Sequence, residues 1–210
     1  MDSAHWDQIV SELKAHAQQM HEAREAGMPI CRQIVQVSSR CIRHVHRHQF
    51  EEARRLLEEA KELSRTAREK LSAFGEIFHA GYLHDSEKEM VEAAAVLAIV
   101  HNEPYPTPGS LGVMMATYLN GMAEAASEVR RFALDEMRNG RHDVAEGILT
   151  QMETIYEDLI TFDFPDSMTG GLRRTCDALR AVIERTRSDL TATATQQKLI
   201  DELRKHRNAD

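Results

Sequence analysis

The sequence predicts an all-α protein, and three observations predict it. Apolar residues recur at helical intervals along most of the 210 residues. Aromatic residues make up only 5% of the chain, with ten Gly and five Pro, so the β-branched, aromatic and turn-rich pattern of a sandwich or barrel is missing. Ala, Glu, Arg, Leu and Gln, all good helix formers, dominate instead. The expectation is one domain over residues 1–210, built from about seven long helices with short connections, including an N-terminal helix over 1–28 and a C-terminal extension over 191–210.

The elements follow in order. Trp6, Ile9, Val10, Leu13, Ala17 and Met20 give an amphipathic first helix, which Gly27 and Pro29 are expected to interrupt. Ile30, Ile34, Val37, Cys41 and Val45 make the stripe of a second helix ending near His46. A third runs from about Gln49 to Phe78 on Phe50, Ala53, Leu57, Ala60, Leu63, Ala67, Leu71 and Phe74, with Glu51–Arg55, Arg54–Glu58 and Arg65–Glu69 as i, i+4 pairs on its wet face. A joint at Gly81–Leu83 precedes a fourth, His84 to His101, stopped by Pro104, Pro106, Pro108 and Gly109. The fifth, Leu111 to Arg138, stops at Asn139-Gly140, and Asp143 caps a sixth that reaches Phe162. Asp163-Phe164-Pro165-Asp166 breaks the chain again before a seventh helix, from about Ser167 to Leu190, which continues to His206 past a weak point at Thr191–Thr195.

Composition excludes several function classes. A net charge of −8 excludes a generally basic nucleic-acid-binding surface, so any such site must be a local cluster of Arg and Lys. Cys31, Cys41 and Cys176 are odd in number and lack CxxC spacing, which fits a reducing, cytoplasmic setting better than a disulfide framework. Met1 to Met20 shows no secretory signal, and no stretch approaches the ~20 apolar residues of a membrane span. Phosphate loops, GxSxG elbows and HExxH are absent.

Two regions carry chemistry. In the first, Arg40, Arg43 and Arg47 share a helix face, and Arg forks match phosphate oxygens; the alternative is a solvated helix end favoured by the dipole. His44 and His48 are i, i+4 and form a weaker metal pair. In the second, Glu92 stands inside Met90–Val100, the most apolar run of the chain, with Glu89 on the same face. An unpaired buried carboxylate is costly, so Glu92 needs an Arg, a proton or a metal. Glu124 is set among Met122, Ala123, Ala125 and Ala126, Glu128 follows one turn later, and Gly121 permits close approach of another helix. If the two helices cross there, the carboxylates converge into an all-oxygen set suited to Mg²⁺ or Mn²⁺. The alternative is an ion pair of Glu92 with Arg130 or Arg131.

At these residues the sequence resembles the translin/Trax family. Glu89-Met90-Val91-Glu92-Ala93 resembles the Glu-x-x-Glu-Ala motif of Trax. Tyr118-Leu119-Asn120-Gly121-Met122-Ala123-Glu124, with Glu128, resembles the Tyr-Leu-x-Gly segment shared by translin and Trax. Asn139 to Asp143 resembles the family's later turn, and Gly171 to Leu190 its C-terminal helix; the similarity runs from about Arg32 onward. The resemblance implies a seven-helix bundle assembling into a hollow oligomer, a homo-octamer or similar closed shell, with or without a second translin-family chain. It implies single-stranded RNA as ligand, single-stranded DNA as an alternative, and Mg²⁺-dependent endoribonuclease activity inside the shell. Carried over by position, Glu89, Glu92 and Glu124 are the catalytic acids and metal ligands, Glu128 a fourth ligand, and Arg40, Arg43 and Arg47 hold RNA. Translin's basic and aromatic cluster before the fourth helix is reduced here to His79 and His84, whereas the acidic pair that translin lacks is kept. The chain is therefore more Trax-like. A non-catalytic, translin-like nucleic-acid binder is the alternative.

Overall fold

The computed structural model describes residues 3–207; residues 1, 2 and 208–210, the outer ends of the expected N-terminal helix and C-terminal extension, lie outside the described residues. Among the described residues there are nine helices and no strand. In chain order they are α1 (Ser3–His46), α2 (Phe50–Leu71), the single turn α3 (Gly75–Phe78), α4 (Tyr82–His101), the single turn α5 (Pro108–Leu111), α6 (Met115–Arg138), α7 (His142–Leu159), the single turn α8 (Asp166–Thr169) and α9 (Leu172–Arg207). The all-α expectation holds, with six long helices rather than seven.

The count differs because the first two expected helices are one. α1 runs without a break through Pro29, a proline inside a helix of 44 residues. Proline there removes one backbone hydrogen bond and costs about 3 kcal/mol, which the packing of α1 on α2 and α4 offsets. Gly27 is a contact residue and not a breaker: a Cβ on it would stand 2.6 Å from Leu71 Cδ2. Downstream, α2 ends at Leu71, earlier than expected, and α3 takes the chain round to α4. Thr191 and Thr195 do not interrupt α9, because each hydroxyl donates to the carbonyl four residues back, Arg187 O at 2.8 Å and Thr191 O at 2.9 Å. Arg141, not Asp143, is the residue before α7, and Asp143 lies in its first turn.

Side-chain contacts fix the helix directions. α2 runs antiparallel to α1, with Leu71 against Gly27 at one end and the Ala53 carbonyl accepting from Cys41 Sγ at the other. α4 runs antiparallel to α2, joined by Ser64 and Arg68 to Glu87 and by Arg54 to Glu103. α9 runs parallel to α6, with Thr175 Oγ1 donating to Asn120 Oδ1 and Arg130 meeting Asp189. α4 is the central helix, with Met90, Val91, Val96 and Ile99 wholly or almost wholly buried.

Trp6 and Leu13 on the first stripe are each 62% exposed. Leu199, Ile200 and Leu203 at the far end of α9 are exposed in the same way. The expected surface pairs on α2 give way to others: Arg54 meets Glu51, Arg65 meets Glu62, and Arg55 meets Glu52 and Glu59, three of the four at i, i+3 rather than i, i+4.

Candidate metal centre

The site is built where α4 meets α6. Glu89 and Glu92, three residues apart, fall on one face of α4, and Glu124 and Glu128, four apart, on one face of α6. Gly121 lets the helices close: a Cβ there would lie 2.6 Å from Val91 Cβ and 2.9 Å from the Lys88 carbonyl oxygen. This approach brings one carboxylate oxygen each of Glu89, Glu92 and Glu124 within 4.8 Å of one another. That span is about twice the ~2.1 Å magnesium–oxygen distance, and an all-carboxylate set suits Mg²⁺ or Mn²⁺.

The electrostatics are those of a crowded acid cluster. Burial, then the charges of Glu89, Glu124 and Glu128, push the Glu92 carboxyl from an ordinary 4.5 up to about 8. Burial and the Glu124 charge raise Glu89. Lys88 Nζ donates to Glu124 Oε1 at 2.6 Å. Burial works against the Lys88 ammonium, but the Glu124 hydrogen bond and the charges of Glu124, Glu89 and Asp85 more than offset it and raise its pKa. The arginine alternative for Glu92 is not realised: Arg130 is committed to Asp189 at 2.6 Å, and Arg131 is exposed. The residues present therefore fit a divalent cation, whose charge would offset the burial and crowding that raise Glu92.

The other candidates separate. Arg40 and Arg43 are exposed on the last turns of α1 and Arg47 just past its end, and Arg43 Nη1 donates to Ser39 Oγ at 2.7 Å. They do not touch the carboxylates, but the same helix end reaches the site through His46, whose Nε2 lies 2.8 Å from Glu128 Oε1. His44 and His48 do not form a metal pair. His44 Nδ1 is hydrogen-bonded to Gln49 Oε1 at 2.6 Å, while His48 has left the helix with φ 55° and packs on Phe132.

Sequence reasoning missed two residues here. His46 was hidden by the more regular His44–His48 spacing, although it lies one turn after buried Ile42 on the inner stripe of α1. Glu87 is fully buried and accepts from Ser64 Oγ at 2.7 Å and from Arg68 Nε and Nη2 at 2.6 and 2.7 Å. Burial acts to raise its pKa, but the His84 imidazole 3.5 Å away and the hydrogen bonds of Arg68 and Ser64 prevail and hold it below the usual carboxylate value. The Arg68 guanidinium also lies 5.5 Å over the Phe78 ring, and His79 stacks on His84. The Phe78–Asp85 stretch is thus tied into an inter-helix network.

No family model matches the chain. An uncharacterized protein of Methanocaldococcus jannaschii is 27% identical over 185 residues, covering 87% of this chain and 81% of that protein. AfC3PO, solved by itself and in a complex with duplex RNA, is 34% identical and superposes with a TM-score of 0.79 over 89% of this chain and 97% of that one. The fold of apo-NeC3PO is similar at a TM-score of 0.78, with 22% identity over 88% of this chain and 96% of that one. AfC3PO and NeC3PO are translin/Trax-family structures. With identity to AfC3PO carried across nearly its whole length, and the Glu-x-x-Glu and Tyr-Leu-x-Gly segments meeting at one helix seam, the chain belongs to the translin/Trax family.

Proposed function

We propose that the chain is a Trax-like, Mg²⁺- or Mn²⁺-dependent endoribonuclease that works inside an oligomeric shell. The observation that carries this reading is the convergence of Glu89, Glu92 and Glu124 at the α4–α6 seam, with Glu128 beside them. These residues would hold the cation. Bound there, it supplies a lowered water pKa and positive charge against the phosphate. The protein's own part is to fix the oxygens on two helices locked by Gly121, and to keep them in a half-buried, weakly screened setting where charge acts strongly. Lys88 balances Glu124 from the same face.

RNA is the proposed ligand, supported by the duplex bound in one AfC3PO structure and by the exposed Arg40, Arg43 and Arg47 at the α1 end that reaches the site. The sequence resemblance favours single strands, so both strand forms belong in the assay. Assembly into a closed oligomer, alone or with a second translin-family chain, is supported by the unpartnered apolar stripes at Trp6–Leu13 and Leu199–Leu203. No described helix is long and apolar enough to cross a membrane. Three free, buried cysteines support a reducing, cytoplasmic setting.

The second reading, a non-catalytic nucleic-acid binder, is favoured by one observation: the Lys88–Glu124 ion pair already neutralises one carboxylate. Incubation of end-labelled single-stranded and duplex RNA with and without Mg²⁺ separates the two. Products that appear only with Mg²⁺ support the nuclease. A salt-sensitive mobility shift with intact RNA supports the binder.

A further inference from the structure

His46 occupies a position where an apolar side chain would cost nothing. It continues the buried face of α1 one turn beyond Ile42, and its side chain is 3% exposed. Its Nε2 makes one bond, to Glu128 Oε1 at 2.8 Å. Its Nδ1 is buried and has no hydrogen-bond partner. A carboxylate oxygen accepts, so Nε2 is the ring nitrogen placed to donate to Glu128, while Nδ1 faces a partnerless interior among the described residues. Burying an imidazole with half its polar capacity unmet works against stability. The one thing it gains is a fixed Glu128.

Glu128 needs fixing. Its side chain is 35% exposed and stands one turn beyond Glu124, close enough to the cluster for its charge to act on Glu92. Without His46 it has open solvent to swing into. Ligating carboxylates are commonly held by such outer hydrogen bonds, and losing the partner typically weakens metal binding ~10–100-fold.

We infer that His46 is a positioning residue: from α1 it holds the Glu128 carboxylate against the α4–α6 seam, so that Glu128 completes the cation site as its fourth oxygen donor. This rests on the reading of Glu89, Glu92 and Glu124 as a cation site. It ties a third helix to the site, and it places Arg43 and Arg47, within one turn of His46, at a fixed distance from the carboxylates.

The test is Mn²⁺ uptake by the full-length protein, followed by the electron paramagnetic resonance signal of free Mn²⁺, alongside the melting temperature without metal. His46→Gln puts an amide donor where Nε2 stood and should bind within about threefold of the parent. His46→Leu should fold with an unchanged or higher melting temperature and bind Mn²⁺ about 10–100-fold more weakly. His46→Asn, whose amide stops short of Glu128, should be equally weakened and serves if the leucine variant does not assemble. Glu128→Gln should match His46→Leu, and the double variant should be no worse than either, because the two act as one unit. A purely structural clip between α1 and α6 predicts a lower melting temperature with Mn²⁺ affinity unchanged. Uptake that is lost in Glu92→Gln but intact in both His46→Leu and His46→Asn overturns this inference alone. A parent that takes up no Mn²⁺ overturns the cation-site reading and this inference with it.

Discussion

Val91 fills the space that a side chain on Gly121 would need: a Cβ built on Gly121 stands 2.6 Å from Val91 Cβ. The carboxylates of two helices meet because one of those helices lacks a single methyl group at this level. Gly121→Ala must therefore push α6 from α4 or distort Val91. Overpacking of this kind costs about 1–3 kcal/mol, so the melting temperature should fall, and Mn²⁺ affinity should fall with it. Gly147, in the exposed part of α7 with nothing within 4 Å of a built Cβ, is the control. There the same change should stabilise by about 0.5–1 kcal/mol through helix propensity alone.

The metal-free protein should lose stability as pH rises. Glu92 has its folded pKa raised from 4.5 to about 8, and Glu89 shifts the same way. The folded state then binds more protons than the unfolded state between those limits, so the Glu92 proton stabilises the fold fully below about 4.5 and the benefit is lost by about 8. Melting temperatures in a chelator should decline over that window, and Glu92→Gln should flatten the decline. Glu87 acts in the opposite sense: its lowered pKa contributes stability above 4.5 that is lost as pH falls further.

Arg68 is the partner that makes the fully buried Glu87 tolerable, with two hydrogen bonds at 2.6 and 2.7 Å. Arg68→Met keeps the stem but strands the carboxylate. Breaking one side of such a pair typically costs about 3–5 kcal/mol, which denaturant unfolding at neutral pH should show as a large fall in midpoint with little change in slope. Glu89→Gln, only two residues on in α4 but facing the crowded acid cluster, should not destabilise the metal-free protein at all.

The fold class and the convergence of the carboxylates were legible in the sequence for the same reason: both rest on periodicity. Apolar stripes marked the long helices; Glu92 and Glu124 were visible because each interrupts an apolar run, and Glu89 because it lies three residues before Glu92 on the same face. Gly121 was legible as a point of close approach. What periodicity does not carry was missed. Pro29 is locally a breaker, and only the packing of α1 on α2 and α4 holds it inside a helix. Glu87 sits beside Ser86 and Lys88 in a polar stretch, so nothing local distinguishes it from a solvated residue; its burial depends on Ser64 and Arg68 arriving from α2. The stripe of Trp6 and Leu13 was read correctly as apolar, but pattern alone does not say what, if anything, covers it.

Nucleic-acid binding should be local and electrostatic. Arg43 and Arg47 are exposed at the end of α1 on a protein whose net charge is −8. Replacing both with Ala should weaken RNA binding to a similar degree for unrelated sequences. It should also reduce the slope of log affinity against log salt by up to about 2, roughly one for each phosphate no longer neutralised. Filter binding at several salt concentrations reads both quantities. Equal affinity of the double variant and the parent at low salt would move the RNA-binding surface elsewhere.

The central claim is that Glu92 is present for a cation, and one paired assay tests it most directly: Mg²⁺-dependent cleavage of end-labelled RNA by the parent and by Glu92→Gln at matched protein concentration. The substitution keeps the side chain's volume and removes a carboxylate whose charge burial and three neighbouring acids oppose, so the variant should fold, assemble and bind RNA as the parent does. The account predicts Mg²⁺-dependent products from the parent and none from the variant. Cleavage by the variant at the parental rate would contradict it.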